Sequence, residues 1–219
     1  MIQKVLFKIK AYLNYRWSAV NAHGLHSPFL FDFYNEVISA QKEFYFFKRF
    51  RAILPAYSKD ISEGDAFFLY RWAAFYKPDS VMLQCVNFPV ALALSIPTNL
   101  KSLSVSSLAS YSEKEQNVLA SEGVLIQENI PAEMVYCQEL NESLIASFSD
   151  YRCVIVQKPH QNKVKEEYWN KLCTSKEVSI SIDLFQFGIL LFDKNQAKQH
   201  FVVCMNCTSH ENCGWMFKV

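Results

Sequence analysis

Large apolar side chains recur at helical spacing through the first third of the chain. In residues 2–17 they follow the i, i+3, i+4, i+7 pattern of an amphipathic helix, and the members of this stripe are Ile2, Val5, Leu6, Ile9, Leu13 and Trp17. Similar spacing predicts three further helices, one beginning at Pro28 and the others over residues 42–57 and 62–76. The chain therefore opens with a helical segment, predicted to span residues 1–77.

After this segment, short apolar runs of strand length alternate with helix-like stretches. Five runs cover residues 80–85, 102–106, 124–127, 133–137 and 153–157, and most are separated by helical patterns at 89–95, 112–121, 139–149 and 162–173. Continuous apolar strands that alternate with helices predict a mostly parallel sheet covered on both faces. Three closely spaced runs follow, at 178–182, 188–192 and 200–205, and their spacing predicts antiparallel pairing at the sheet edge.

Two interpretations fit the first helix. Lys4, Lys8 and Arg16 lie largely off its apolar stripe, as in a helix that rests on a membrane surface with a basic face. A helix packed on its own domain, or on a second subunit, would carry the same stripe. The aromatic load of the next helices exceeds what one sheet face can cover. We therefore predict a homo-oligomer, or a protein partner, contacted through the N-terminal helices.

Charge, leader patterns and glycine spacing exclude several classes of protein. With 22 basic and 21 acidic residues, the chain lacks the net positive charge expected of a nucleic-acid binder. Lys4, Lys8 and Lys10 interrupt the N-terminal apolar residues, so no secretory signal is predicted. The uncharged run 80–100 contains prolines and amides and is interpreted as a strand and a helix, not a transmembrane segment. A cytoplasmic location with free thiols is therefore expected. The five glycines are too far apart for dinucleotide, P-loop or serine-hydrolase motifs.

Two stretches near the chain ends resemble signatures of a bacterial branch of the class I SAM-dependent methyltransferases. The first is HGLHSPF at residues 23–29, followed by Phe31 and Asp32. The second is IDLF at residues 182–185, followed by Gly188, by QAK at 196–198 and by HF at 200–201. The order of the predicted elements is similar to that superfamily. The resemblance implies a Rossmann-like methyltransferase-type sheet domain over residues 78–219, behind an N-terminal helical cap over 1–77.

The chain departs from that family wherever the family contacts SAM. Members have an acid and glycines after the first strand, an acid on the ribose after the second, an acid after the fourth and paired aspartates after the fifth. The residues found there instead are Leu83 and Cys85, Ser106, Gln138, and Gln157 with Lys158. A serine in place of the ribose carboxylate weakens that contact by roughly 1 kcal/mol or more. We therefore predict a methyltransferase-like scaffold without SAM or another cofactor; a divergent SAM-dependent methyltransferase, or another small-ligand enzyme, is the alternative.

Four polar residues outside those positions are weaker candidates for chemistry. His23 and His26 flank a glycine in a predicted turn and could titrate, bind a metal or dock helices. His160 follows the replaced aspartates, so we expect it to lack a partner that would orient it for catalysis. Asp183 interrupts an apolar strand, and we expect it to anchor a backbone turn. Lys165 falls within residues 163–167, which are interpreted as a solvated helix face. The catalytic residues, if there are any, remain unassigned.

Metal-ligand residue types cluster at the end of the chain. Cys204, Cys207, His210 and Cys213 are each separated by two residues. These are zinc-ligand types, but spacings this short are too compact for most tetrahedral sites, and Cys204 lies in a predicted strand. We therefore expect no bound metal.

Overall fold

A computed structural model describes residues 2–20, 27–40, 43–57, 61–97, 100 and 102–205. Contacts divide the chain into two compact units, residues 1–31 with 137–219, and residues 32–136. This division by packing differs from the predicted division by element type at residue 77.

The described helices and strands agree closely with the predicted ones. The helices are α1 (Ile2–Ser18), α2 (Pro28–Phe33), α3 (Tyr45–Ile53), α4 (Glu63–Tyr76), α5 (Phe88–Ser95), α6 (Glu113–Ser121), α7 (Glu142–Ala146) and α8 (Lys163–Thr174). The strands are β1 (Ser80–Leu83), β2 (Ser102–Val105), β3 (Ile126–Glu128), β4 (Met134–Cys137), β5 (Cys153–Gln157), β6 (Ile180–Asp183), β7 (Phe187–Leu191) and β8 (Gln199–Val202). Their order in the sheet is β3-β2-β1-β4-β5-β7-β6-β8. This mostly parallel, Rossmann-like sheet with antiparallel closing strands confirms the predicted fold class.

In residues 32–136, β1 lies between two parallel neighbours. Ser80 is in register with Ser102 of β2, and Val81 with Met134 of β4. The chain thus adds strands on one side of β1 and then crosses to the other. In doubly wound sheets, ligands bind at the carboxyl ends of the strands that flank such a switch in strand order. The end of β1 is therefore the position at which the resemblance implies a cofactor.

The aromatic residues of α2, α3 and α4 are buried against one another. Phe47 stacks on Phe67 with ring centroids 3.8 Å apart, and Phe33 meets Trp72 edge-on at 5.3 Å. The buried members are Phe33, Phe46, Phe47, Phe50, Phe67, Phe68 and Trp72. The aromatic load of these helices is therefore covered by packing among the helices themselves and not by a sheet face alone, and the homo-oligomer or protein partner inferred from that load stays a prediction. Phe31 and Tyr45 remain exposed.

In residues 137–219, the closing strands pair as predicted with one exception. β7 is antiparallel to both β5 and β6, which confirms the antiparallel closure. β8, however, is parallel to β6, so antiparallel pairing of the last run is wrong. Both edges of β7 are already occupied by β5 and β6, and β8 therefore adds to the free edge of β6. The chain reverses once more between β7 and β8, so β8 runs in the same direction as β6.

Helix α1 packs on its unit through one face, and its stripe of large apolar side chains lies on another face that is exposed. Ala11, Tyr15 and Ala19 are buried, and the Tyr15 hydroxyl donates to the Val203 carbonyl at 2.5 Å. The predicted stripe is exposed at Val5, Leu6, Ile9, Leu13 and Trp17. The interpretation in which this stripe packs on its own domain is therefore wrong. α1 has two apolar faces, and the flatter Ala-Tyr-Ala face is the one that packs.

Two predictions about compartment and membrane can be compared with the described residues. No helix among them has the length and apolar character needed to cross a membrane. Cys85, Cys137, Cys153 and Cys173 are free, as expected, but Cys204 is disulfide-bonded. The prediction of free thiols is therefore wrong for Cys204.

Candidate functional site

Buried apolar side chains lie on both sides of the turn that follows β1. Leu83, the last residue of β1, and Phe88, the first of α5, are both buried. Between them, buried Asn87 accepts a hydrogen bond from the Val90 amide at 3.1 Å through its side-chain oxygen, which caps α5. The Asn87 side chain is therefore used as the cap of α5, and Leu83 has no polar group that could bind a cofactor.

Tyr111 and Cys85 add neutral groups to the same edge. Tyr111 is buried, and burial raises its pKa to about 12, with the backbone of Asn87 lowering it and Cys85 and Glu115 raising it. Burial also raises the pKa of the half-buried Cys85 to about 12. Both groups therefore stay protonated near neutral pH, and Cys85 lacks the thiolate character of a reactive cysteine. Neither residue supplies the acid that the resemblance implies for SAM recognition after the first strand.

Ser106, after β2, is exposed and offers only a hydroxyl. A carboxylate does reach the following loop, because Glu128 at the end of β3 accepts from the Leu108 amide at 2.6 Å. That bond holds the turn at Leu108–Ser110. The nearby Ser112–Glu115 pair forms a capping box at the start of α6, which also has a structural purpose.

Lys165 is a buried cation that the sequence analysis placed on a solvated face. It is 3% exposed, and its ammonium donates to the Gln138 carbonyl at the end of β4 and lies 3.4 Å from the Gln161 side-chain oxygen. Burial lowers the pKa of Lys165, although the charge of Glu139 opposes this. The solvated-face interpretation is therefore wrong at this position. A usable signal existed, because Lys165 continues the helical spacing of Trp169, Leu172 and Cys173, which are all buried.

His160 has two carboxylate partners. Its Nε2 is 2.7 Å from Asp183 Oδ2, and its Nδ1 is 2.9 Å from Glu166 Oε1. The expectation that His160 has no orienting partner is therefore wrong. Burial lowers the pKa of His160, but the hydrogen bonds and charges of Asp183 and Glu166 outweigh burial and raise it above its ordinary value. The sequence analysis missed these partners because they come from β6 and α8, not from the strand that precedes His160.

Asp183 is committed to the fold through both of its oxygens. Oδ1 accepts from the Phe185 amide at 2.9 Å, and Oδ2 accepts from the Trp169 indole at 3.0 Å as well as bonding His160. The prediction that Asp183 anchors a backbone turn is confirmed, and Phe185 in that turn has a left-handed φ of 65°. A Cβ on Gly188 would lie 2.4 Å from the Trp169 ring, so the glycine gives the indole its place beside Asp183.

This cluster borders a cavity of about 460 Å³ in the same unit. Its walls include Lys8, Tyr12, Leu13, Lys158, His160 and Phe185. The His160 ring stacks on Phe185 with centroids 5.3 Å apart, and Lys158 has a left-handed φ of 49°. Because both nitrogens of His160 are bonded to carboxylates, neither is available to take a proton from a ligand. The cavity is therefore suited to binding an apolar or anionic group more than to acid–base chemistry.

Some of the remaining predicted site residues lie in the described part of the chain, and the others lie outside it. Gln157 is buried at the end of β5, in register with Phe187, and Gln138 contributes its carbonyl to Lys165. Cys204 is buried, 3.0 Å from an Arg16 guanidinium nitrogen. The candidates outside the described residues are His23, His26, Cys207, His210 and Cys213. Within residues 2–205, apart from the gaps given above, no group of three or more His, Cys, Asp or Glu is arranged to hold a metal ion.

Comparisons with known proteins add likenesses to solved methyltransferases. No family model and no curated protein matches the chain. A methyltransferase from Geobacter sulfurreducens aligns at 10% identity over 70% of this chain and 91% of its own, with a TM-score of 0.47. The O-methyltransferase from Bacillus cereus, solved with SAH, aligns at 9% identity over 71% and 94%, with 0.46. TomG from Streptomyces achromogenes, an O-methyltransferase solved with SAM, aligns at 14% identity over 69% and 91%, with 0.44. At these scores the likenesses assign no activity, and the fold class rests on this chain's own strand order.

Proposed function

We propose that this chain is a methyltransferase-like protein that does not bind SAM and that acts through interactions instead of catalysis. The observation that carries the proposal is the neutral end of β1. Leu83 and Phe88 are buried there, the Asn87 side chain caps α5, and Cys85 and Tyr111 are held protonated by burial. A cofactor with a ribose diol and a charged amino acid would meet apolar groups where it needs charged partners.

The energetic deficit accumulates over several independent contacts. Each charge-assisted hydrogen bond lost from a ligand costs about 1.5–3 kcal/mol, and the side chains after β1 and β2 supply no carboxylate. Together these losses exceed the difference between a micromolar and a millimolar ligand, which is roughly 4 kcal/mol.

Titration calorimetry with SAM, and separately with SAH, tests this half of the proposal. We expect no saturable heat at concentrations up to about 100 μM, which corresponds to roughly −5.5 kcal/mol. Thermal unfolding of the same sample, with and without SAM, provides a check that the protein is folded and that ligand-induced stabilisation is absent. A dissociation constant tighter than that value, for either ligand, would overturn the proposal.

The interaction half is supported by the outer face of α1. Val5, Leu6, Ile9, Leu13 and Trp17 form an exposed apolar stripe of a kind that marks interaction sites. A homo-oligomer or a protein partner contacted through the N-terminal helices, and a cytoplasmic location, remain predictions from the sequence.

One observation favours a second candidate, a small-ligand protein built on the same fold. The cavity beside His160 has the size of a ligand pocket, and Lys8, Lys158, Tyr12 and Phe185 give it both cationic and aromatic walls. A thermal-shift screen of aromatic carboxylates would test it. We would adopt this candidate if a ligand stabilised the protein and lost its effect in Lys158→Ala.

A further inference from the structure

The outer face of α1 is the most apolar exposed helix face that the structure describes in residues 1–31 and 137–219. Its large side chains are between 45% and 62% exposed, and they are Val5, Leu6, Ile9, Tyr12, Leu13 and Trp17. At 100° per residue they cover a continuous arc of roughly 140°. One edge of the arc adjoins the packed face of Ala11, Tyr15 and Ala19, because Tyr12 contacts the Tyr15 and Phe185 rings. Ile9 and Leu13 border the cavity beside His160 but remain more than half exposed, and the arc continues outward to Leu6 and Trp17.

The charges of α1 all have one sign. The helix carries Lys4, Lys8, Lys10 and Arg16 and contains no Asp or Glu, whereas the whole chain has a formal charge of only +1. Basic residues from elsewhere in the unit join them. A second cavity, of about 530 Å³, has Lys4, Lys8 and Lys163 among its walls, and both Lys8 and Lys158 line the first. At 100° per residue Lys10 borders the apolar stripe and Arg16 lies within it, whereas Lys4 and Lys8 lie on the side of Ala11 and Tyr15. The stripe therefore belongs to a helix that carries positive charge around its whole circumference.

We propose that α1 docks on the surface of an anionic lipid bilayer, with its outer stripe between the headgroups and the acyl chains. This rests on the interaction half of the proposed function and names its partner. Helices that lie in a membrane interface combine large apolar side chains on one face with lysines on the rest of the helix. α1 is 17 residues long, and no described helix can cross a membrane, so the geometry is that of a helix lying in the plane of the surface.

A second copy of the chain fits this face less well than a bilayer does. Two-fold pairing of α1 would bring together two identical helices, each with four cations and no acid. Like charges that face each other across an interface oppose association. An anionic bilayer supplies both an apolar layer for the stripe and negative charge for the cations of α1, of which Lys10 borders the stripe, at about fivefold in affinity for each lysine near the surface.

Vesicle binding by the full chain tests the proposal. We would compare sedimentation with vesicles of phosphatidylcholine alone and of phosphatidylcholine with phosphatidylglycerol, at low and high salt. Trp72 and Trp169 are fully buried and Trp17 is exposed, and the Trp17→Phe variant separates the emission of Trp17 from that of Trp215, the fourth tryptophan of the chain. We expect binding to the anionic vesicles, a blue shift of tryptophan emission that Trp17→Phe removes, and loss of binding at high salt.

Matched variants separate the two contributions. Leu13→Asp, on the stripe, and the combined Lys4→Glu, Lys8→Glu and Lys10→Glu change should each weaken binding at least about tenfold. Leu125→Asp is the control, because Leu125 is a similarly exposed leucine outside α1, and it should leave binding unchanged. Circular dichroism of every variant would verify that α1 still forms.

Three results would overturn the proposal. The first is equal or absent binding to both kinds of vesicle, and the second is a Leu125→Asp variant that loses binding as Leu13→Asp does. The third is a dimer, seen by light scattering, that does not bind vesicles and that dissociates in Leu13→Asp. The stripe would then bind a second copy of the chain. None of these depends on SAM calorimetry, so failure of the membrane inference and failure of the SAM proposal are distinguishable.

Discussion

The end of β1 and the end of β6 are both places where a sheet strand stops, and their chemistry is opposite. After β1 the groups are neutral: Leu83 is apolar, Cys85 is held protonated by burial, and Asn87 is used as a helix cap. At the end of β6, Asp183 meets an imidazole and an indole at hydrogen-bond distance. The chain thus has few charges where a cofactor would need them and concentrates charges where the fold uses them.

The contrast teaches that a dense polar cluster can be entirely structural. Both oxygens of Asp183 and both nitrogens of His160 are already bonded within the protein. A group whose hydrogen-bonding positions are all filled stabilises the fold but has nothing left for a substrate. The IDLF stretch and Gly188, which resemble a family signature, are therefore accounted for here by one turn, one buried carboxylate and one packed indole.

The largest loss of stability that we predict for the cluster around Asp183 comes from replacing Gly188. In Gly188→Ala the new Cβ would be 2.4 Å from the Trp169 ring, so the indole must move away from Asp183. We expect a loss of about 3 kcal/mol, from overpacking and from the weakened hydrogen bond to a buried carboxylate. Urea unfolding measures it, and tryptophan emission reports the displaced indole.

Gly64→Ala is the matched control for that substitution. No atom lies within 4 Å of the Cβ that would be added at Gly64, in the first turn of α4, so alanine should be neutral or should stabilise the protein by up to about 1 kcal/mol. Equal effects of the two substitutions would show that Trp169 does not depend on the glycine and that the cluster around Asp183 tolerates movement.

The next effect is the pH dependence that His160 contributes. Its pKa is raised in the folded protein by Asp183 and Glu166, above an unfolded value of about 6.5. The folded state therefore binds the proton more tightly, and this stabilisation is fully present below the unfolded pKa and is lost as pH rises through the folded pKa. We expect the stability difference between the protein and His160→Gln to shrink as pH is raised from about 5 to about 9.

His200 provides a control of opposite sign. Burial lowers its pKa, although Asp183 opposes this, and Ser181 Oγ lies 2.8 Å from its Nδ1. Its folded state releases the proton more readily, so its contribution is present above the unfolded pKa and is lost as pH falls through the lowered folded pKa. Among the described residues, Tyr15 and Cys173 are further titratable groups that interact with Asp183. The pKa of each is raised, that of Cys173 to about 12, so both remain neutral over this range. The same pH trend in His160→Gln and in His200→Gln would contradict the assignment to His160.

The fold was predictable to within a few residues because its strands are continuous apolar runs. The predicted run at 153–157 coincides with β5, and the others begin or end within two or three residues of the observed strands. The partner of β8 was not predictable, because an apolar run does not specify which free edge it will join. The sequence left the environment of the α1 stripe open between its own domain, a second subunit and a membrane surface. It did not identify the Ala11–Tyr15–Ala19 face that packs, because the periodicity of large side chains gives more weight to Leu and Trp.

The candidate site was less predictable than the fold. The absence of acids after β1 was readable, since no register of residues 80–101 contains Gly, Asp or Glu. The partners of His160 were not readable, because Glu166 and Asp183 reach it from separate elements. Lys165 falls between these cases, because its helical spacing from Trp169 was visible but its charge suggested exposure.

The smallest predicted effect is that of replacing the buried Lys165, and it tests whether the fold needs a charge at the end of β4. Lys165→Met keeps the length of the side chain and removes both the desolvation penalty that lowers the Lys165 pKa and its bond to the Gln138 carbonyl. Because those two terms oppose each other, we expect a change of less than about 1 kcal/mol in either direction by urea unfolding. Lys163→Met is the exposed control on the same helix and should change stability by less than about 0.5 kcal/mol. A loss of several kcal/mol in Lys165→Met alone would show that the ammonium is required there, and the end of β4 would then resemble the charged cluster at Asp183 and not the neutral end of β1.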